Sequence, residues 1–315
     1  MRLSPPIRAV VLLFAALPLC GCLFRSHKVE QPLTPAQLKT ATLQELIEYV
    51  NTQAGRIQSM EATVDIDTSV GGEKKGKVTE YEEIRGYVLA RKPSMLRMIG
   101  LMPIVRNRAF DMVSDGQNFK LWIPPKNRFV VGRNDLETPN PAQPLENLRP
   151  QHIYDALLLR HIDANNEIAV LENTTRSVTD NKGHKVTRAE YDLDVIRKGE
   201  HGWYLSRKIV FSREDLLPHG QLLYDEKGDL VTDAGYENYK DDNGINFPWR
   251  IEISRPREEY DITLNMVKLD LNHPLADDKF ALEEPPGVQV LHLDKPQNGA
   301  PGVSGNHGPG ATDSQ

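Results

Sequence analysis

Cysteine is nearly absent from this chain. Its two cysteines, Cys20 and Cys22, both precede the main body. This excludes a disulfide, a thiolate nucleophile and a cysteine-ligated metal in the remaining residues. The chain also lacks a phosphate-binding loop, a His-Glu-x-x-His zinc motif and a Gly-x-Ser-x-Gly nucleophile elbow, and its nine histidines show no metal-ligand spacing. We therefore expect a protein that is not an enzyme and that holds no cofactor or metal.

Basic residues are in deficit as well. Lysine and arginine number 38, against 44 aspartates and glutamates, which gives a net charge of −6. Nucleic-acid binding needs clustered basic side chains, so this balance argues against it. After the first 22 residues, no apolar run approaches the roughly 20 residues of a membrane-spanning helix. The body of roughly 260 residues is long enough for one large β domain.

The first 22 residues have the three parts of a secretory signal: a basic start, an apolar run from Ala9 to Leu19, and small residues with cysteine. The sequence Leu19-Cys20-Gly21-Cys22 resembles the bacterial lipobox. The resemblance implies cleavage of a lipoprotein signal peptide, residues 1–21, and acylation of Cys22 as a membrane anchor. The alternatives are acylation of Cys20, which the bulky Leu19 disfavours, or an ordinary signal with two incidental cysteines.

The segments on either side of the folded domain are polar. Residues 22–33 are predicted to form a tether, and residues 34–293 the domain. The residue after the anchor is Leu23 rather than Asp, which, by resemblance to the sorting rule of Gram-negative bacteria, favours the outer membrane facing the periplasm. Residues 294–315 are rich in Gly, Pro, Asn and Ser and are predicted to be disordered.

Two amphipathic helices are predicted. The first follows a turn opened by Thr34-Pro35 and begins with the capping box Thr42-Leu43-Gln44-Glu45. From there an apolar stripe with spacings of three and four runs to about residue 58. The second helix is short, at about residues 151–160. Each has one apolar face, so each must pack on another element.

The rest of the domain alternates with a period of two, which is typical of strands with one buried face. The first strand includes Ala62 to Val70, and further strands joined by short turns continue to Leu271. In the last long strand the apolar set slips by one residue at Val267, which predicts a β-bulge. About a dozen antiparallel strands in one sheet should curl strongly, with the two helices as lids.

One predicted turn is unusually apolar. Residues 98–105 read Met-Ile-Gly-Leu-Met-Pro-Ile-Val, in which Gly and Pro mark a turn between two strands. Turns face water unless something covers them. Leu101 and Met102 are therefore candidates for an apolar loop that contacts a membrane or cargo acyl chains. The alternative is that the segment folds back over the open end of the curled sheet.

Two carboxylate pairs stand two residues apart on predicted strands: Asp65 with Asp67, and Asp192 with Asp194. Two carboxylates on one face can hold a metal or act as acid and base. Because the opposite face of each strand is the apolar one, we expect both pairs to lie on a solvated outer face.

A series of short motifs follows the first predicted helix in a definite order. They are Gly86-Tyr87-Val88, Lys92-Pro93, Leu96-Arg97, Asp115-Gly116, Leu121-Trp122, Tyr236-Glu237-Asn238-Tyr239, Gly244-Ile245-Asn246-Phe247-Pro248, Leu271-Asn272-His273-Pro274-Leu275 and Asp277-Asp278-Lys279-Phe280. In this order, over residues 40–293, the chain resembles the LolA/LolB superfamily of periplasmic lipoprotein carriers and outer-membrane lipoprotein receptors.

The resemblance implies a mainly β fold, with a strongly curved antiparallel sheet forming an unclosed β-barrel and a helical lid over an apolar cavity that receives acyl chains. The lipid anchor matches the receptor branch, whereas the motifs after Leu271 match the carrier branch. The implied partners are a membrane, through the anchor, and lipid or acylated lipoprotein cargo. The implied function is lipid or lipoprotein transport or sorting.

Six side chains on the apolar sides of their strands are the candidates for the wall of that cavity: Tyr191, Trp203, Phe211, Trp249, Ile251 and Leu264. The alternative is that they fill a solid core. A second hypothesis is a structural or scaffold lipoprotein of an envelope assembly, whose strand edges and residues 294–315 contact a protein partner. A third, a hydrolase of lipids or envelope polymers, lacks an identifiable nucleophile and base.

Overall fold

The computed structural model describes residues 38–72, 76–135, 148–179, 183 and 185–294. The predicted signal peptide, Cys22, the tether, the turn at Thr34-Pro35 and residues 295–315 lie outside the described residues, so those assignments stay predictions.

Two α-helices form where the sequence predicts them. Helix α1 is Leu43–Arg56, and its N-cap Thr42 completes the predicted capping box with Glu45. Helix α2 is Pro150–Leu157 and begins with proline, whose fixed φ suits the first helical turn.

The other elements of the described residues are strands and two short 3₁₀ turns, Pro124–Lys126 and Asp277–Phe280. The strands are β1 (Ser59–Gly72), β2 (Lys77–Glu80), β3 (Ile84–Arg91), β4 (Met95–Leu101), β5 (Arg108–Ser114), β6 (Asn118–Ile123), β7 (Arg128–Arg133), β8 (Glu167–Thr179), β9 (Lys185–Gly199), β10 (Gly202–Ser212), β11 (Pro218–Tyr224), β12 (Leu230–Asp242), β13 (Ile245–Arg255), β14 (Tyr260–Leu271) and β15 (Gln289–His292).

All strands belong to one sheet in the order β15-β7-β6-β5-β4-β3-β1-β14-β13-β12-β11-β10-β9-β8, and β2 pairs with β1. Neighbours are antiparallel except β15, which is parallel to β7. The long pairing of β1 with β14 joins two meanders. In the described part of the chain, the end strands β15 and β8 pair with different neighbours, so the sheet is not a closed barrel. The predicted fold class, a mainly β unclosed sheet with helices, is confirmed.

Among the bulges of the sheet, one in the β1–β14 pair and one in the β9–β10 pair change which face the predicted side chains occupy. In the β1–β14 pair, Val64 opposes Met266 and Thr63 opposes Lys268, so Val267 is the extra residue, as predicted from the apolar slip. In the β9–β10 pair, Leu205 opposes Ile196 and Arg207 opposes Val195, which makes Ser206 the extra residue. No feature of the apolar pattern predicts this second bulge.

Both helices cover the inner face of the sheet. Helix α1 places Leu46 and Val50 against a cluster with Leu193 and Phe211. Helix α2 adds Ile153 to a larger cluster of residues from β1, β3 to β7 and β12 to β14. The expectation that the two helices act as lids is therefore confirmed.

The outer face is covered over β3 to β7 by a strap, residues 272–293. Phe280 of the strap packs against Leu89. Leu282 packs against Val113. The strap ends as β15 beside β7, so the outer face of this meander is a second, thinner apolar layer.

Candidate functional site

A cavity of about 350 Å³ lies on the inner face of the first meander. This volume is within the range of small-molecule sites, about 300–1,000 Å³. Its walls come from β1, β3 to β6 and β14, together with the connections before β3 and after β4. The lining residues are Ile66, Thr68, Tyr81, Glu82, Ile84, Met98, Met102, Pro103, Ala109, Phe110, Met112, Leu121, Ile123, Leu148 and Ile262.

Two glycines let the side chains beside this cavity lie close to the sheet. Gly86 of β3 pairs with Gly100 of β4. A Cβ atom at Gly86 would lie 2.5 Å from Ile66 Cδ1, and one at Gly100 would lie 2.7 Å from Ile84 Cδ1 and closer still to the Phe110 ring. Any larger residue at Gly86 or Gly100 would therefore collide with the side chains of Ile66, Ile84 and Phe110 where they now lie.

Polar groups lie at one part of the wall. Tyr81 and Glu82 belong to the connection between β2 and β3, and both are exposed. The predicted strand from Tyr81 begins only at Ile84. Of the described lining residues, Glu82 is the only one with a charged side chain. The cavity thus combines an apolar interior with a carboxylate and a phenol at its exposed border, which suits an amphiphile.

The apolar turn lies between β4 and β5. Leu101 is the last residue of β4 and is partly buried. Met102 and Pro103 line the cavity. Beyond them Ile104 is 97% exposed with a φ of 67°, which β-branched residues rarely adopt. The base of this loop therefore borders the cavity, and its tip projects into solvent rather than folding back.

The six side chains assigned to the cavity wall lie elsewhere. Ile251 and Leu264 are fully buried in the larger core cluster, and Trp249 packs against that cluster. Tyr191 and Phe211 belong to the cluster beneath α1. Five of the six thus face the apolar side, as predicted, but they fill solid core, and a different set of residues lines the cavity.

The prediction for Trp203 is wrong. Its side chain is 53% exposed. The bulge at Ser206 reverses the alternation, so Trp203 and Leu205 face outward while Ile209 and Phe211 face inward. No break in the apolar pattern marks this bulge, because apolar residues stand at odd positions on both sides of it.

A second, much smaller cavity of about 30 Å³ lies between α1 and α2 and is lined by Tyr49, Gln53, Lys92 and Tyr239 among others. It has room for about one water molecule. Burial and the nearby Asp215 raise the pKa of the Tyr49 phenol to about 12, so this group stays neutral and cannot act as a base at physiological pH. We assign this cavity to packing.

The expectation of a solvated outer face fails for one carboxylate pair. Asp192 is 1% exposed, and it pairs with Arg176 at 2.5 Å and with Lys208 at 2.8 Å. Asp65 is partly exposed and pairs with Arg85 at 2.5 Å. Long basic side chains from neighbouring strands cover the second pair, which alternation along a single strand does not reveal.

Two other buried carboxylates differ in electrostatics. Glu167 pairs with Arg197 at 2.5 Å and with the fully buried Arg207 at 3.3 Å. Burial alone would raise the pKa of Glu167, but Arg207 and further hydrogen bonds outweigh it, so the pKa is lowered. Glu190 pairs with Arg176 at 2.8 Å, yet burial and the neighbouring Asp192 raise its pKa.

Within the described ranges, no helix is both long and apolar enough to cross a membrane. In those ranges no three or more His, Cys, Asp or Glu side chains are grouped as metal ligands would be.

No protein-family model matches the sequence, and no curated protein matches it. Solved structures do match. A LolA superfamily protein from Nitrosomonas europaea is 16% identical over 77% of this chain and 99% of that chain, with a TM-score of 0.46. A DUF1329 family protein from Desulfovibrio piger is 16% identical over 77% and 98%, with a TM-score of 0.47.

Proposed function

We propose that this protein is an envelope lipoprotein that binds the acyl chain of a lipid or lipoprotein in the cavity of its first meander, and that it serves lipid or lipoprotein transport or sorting. The observation that carries the proposal is the 350 Å³ cavity with apolar walls from six strands. Burial of acyl surface would drive binding, at about 25 cal/mol per Å² removed from water. No covalent step is required.

The loop after β4 supports a role at a membrane. Ile104 is almost fully exposed in a backbone conformation that costs free energy for a β-branched residue. Neither packing nor stability accounts for an isoleucine there, whereas contact with lipid does. Met102 and Pro103 connect this tip to the cavity wall, so a chain leaving the membrane would enter along the loop.

The anchor and the location belong to the same proposal. Acyl chains on Cys22 would hold the domain on a membrane by about 0.8 kcal/mol per buried methylene. With Leu23 after the anchor, we propose the outer membrane, with the domain in the periplasm.

The test is a titration of a fluorescent single-chain lipid into the delipidated protein. Ala109, partly buried in β5, lines the cavity. An Ala109→Trp change would fill the cavity and should weaken binding at least tenfold. The control is Ala189→Trp at a partly buried position of β9, which should leave the affinity within twofold. Equal binding by parent and Ala109→Trp proteins, or no saturable binding by the parent, would reject the proposal.

A second candidate function, a scaffold in an envelope assembly, is favoured by the edge strand β8. Ile168 is 51% exposed and Val170 47% exposed on the outer side of this strand, and Trp203 lies on the same face two strands away. A long strand edge with apolar neighbours can pair with a strand of another protein. A photo-reactive residue at Val170 should then capture one fixed protein in cells. The same probe at Val267, on β14, is the control.

A further inference from the structure

The size of the cavity limits how much chain it holds. A methylene group needs about the space of a water molecule in the liquid, about 30 Å³. The volume of about 350 Å³ therefore corresponds to about a dozen methylenes, which is the size of one acyl chain rather than of two or three.

The walls leave little room for expansion. Met98, Met112 and Leu121 are each 1% exposed and belong to the main core cluster. Protein cores are close-packed, so moving these side chains outward would disturb β4, β5 and β6 together. A second or third chain on the same ligand would have to stay outside the cavity.

Among the described residues that line the cavity, the only charged side chain is negative. Glu82 supplies a carboxylate and Tyr81, 45% exposed, an aromatic ring, and the adjacent Glu80 and Glu83 are exposed and acidic too. Arg108, the first residue of β5, pairs with Asp111 at 3.4 Å, and Arg106 of the loop after β4 does not line the cavity. A carboxylate beside an aromatic ring favours an ammonium group and disfavours an anion.

Building on the proposed function, we infer that the cavity takes one chain at a time and that Glu82 selects against anionic head groups. The ligand class is then an amphiphile with an ammonium-bearing head, of which one acyl chain enters the cavity, rather than one with an anionic head such as a free fatty acid. Glu82 acts here as a specificity-determining residue for the head, while the chain supplies most of the affinity.

The test compares probes of equal chain length, below their micelle concentrations and at low salt. Dodecyltrimethylammonium and laurate would each displace the fluorescent single-chain lipid. We expect the ammonium probe to bind about fivefold more tightly, the upper value for one exposed charge contact. Glu82→Gln should bring the ratio close to one. Arg106→Gln, which removes a charge from the loop without touching the lining, should leave the ratio unchanged.

The number of acyl chains that enter the cavity is tested with a mono-acylated and a tri-acylated lipopeptide that share one peptide. We expect equal affinities within about threefold. Tri-acylated binding tenfold tighter would overturn the one-chain inference. Laurate binding as tightly as the ammonium probe, or a ratio unaffected by Glu82→Gln, would overturn the head-group inference. If no probe of either kind binds, the proposed function itself fails.

Discussion

Gly100 of β4 lies directly opposite Gly86 of β3, and the ring of Phe110 occupies the place where a side chain at Gly100 would be. Phe110 also lines the cavity. The absence of a side chain at Gly100 thus sets the position of one cavity wall.

We therefore expect Gly100→Ala to push Phe110 toward the cavity. Overpacking of a close-packed site costs about 1–3 kcal/mol, so the melting temperature should fall by several degrees. The affinity for the fluorescent single-chain lipid should fall as well. The matched control is Gly235→Ala on β12, where the added Cβ would lie 3.8 Å from Glu252 Cβ. If Gly100→Ala and Gly235→Ala change the melting temperature and the lipid affinity by the same amounts, the absence of a side chain at Gly100 does not set the position of Phe110.

Opposite pH dependences are expected for the two buried glutamates. The folded-state pKa of Glu167 is lowered, so its contribution to stability is present above the unfolded pKa of about 4.3 and is lost as the pH falls. Glu167→Gln leaves Arg207 buried without its counter-charge and should cost about 3–5 kcal/mol at pH 7. This difference from the parent should shrink below about pH 4. Urea unfolding of both proteins at pH 7 and below about pH 4 measures this difference in the free energy of unfolding.

The pKa of Glu190 is shifted in the direction opposite to that of Glu167. Its folded-state pKa is raised, so it destabilises the folded state as the pH rises above the unfolded pKa of about 4.3. Arg176 keeps Asp192 as a partner when Glu190 is neutralised. Glu190→Gln should therefore be as stable as the parent at pH 7, or more stable. A loss at pH 7 comparable to that of Glu167→Gln would contradict this reading of the electrostatics.

At the tip of the loop we expect Ile104→Asn to separate stability from membrane contact. Asparagine tolerates a positive φ better than isoleucine, so the melting temperature should stay the same or rise. Association with liposomes should drop severalfold. Val267→Asn, a similar change at an exposed bulge residue of β14, should leave liposome association intact. Unchanged association in both variants would exclude the loop from membrane contact.

For the anchor, Cys22→Ala should abolish incorporation of a palmitate analogue during growth. The folded domain should keep its melting temperature, because the chain has no other cysteine apart from Cys20 and hence no disulfide in its body. Continued labelling of the Cys22→Ala chain would show that another residue is acylated.

Local pattern predicted much of this fold. Alternation placed Val64 and Ile66 on the buried face of β1, and the apolar slip located the bulge at Val267. The capping box located the start of α1 within a residue. Each of these features depends on neighbours within a few positions, which sequence reasoning can evaluate.

The cavity could not be found in the same way. Its wall includes Ile66 of β1 and Ile262 of β14, which are almost 200 positions apart in the sequence. The positions of the side chains beside it also depend on the space that Gly86 and Gly100 leave free. The bulge at Ser206 leaves no mark on the apolar pattern, so the pattern predicts the wrong face for Trp203. The sequence pattern also does not predict that the strap packs on the sheet, because its apolar residues are too few and too widely spaced to show a period.

Photo-crosslinking with a lipid whose single acyl chain carries a diazirine, followed by peptide mapping, locates the bound chain directly. We expect label on the cavity-lining residues of β4, β5 and the loop between them, at Met98, Met102, Phe110 and Met112. Excess unlabelled lipid and the Ala109→Trp change should each remove it. Saturable label on Tyr191, Phe211 or other residues beneath α1 instead, with these segments unlabelled, would show that the acyl chain does not bind in this cavity.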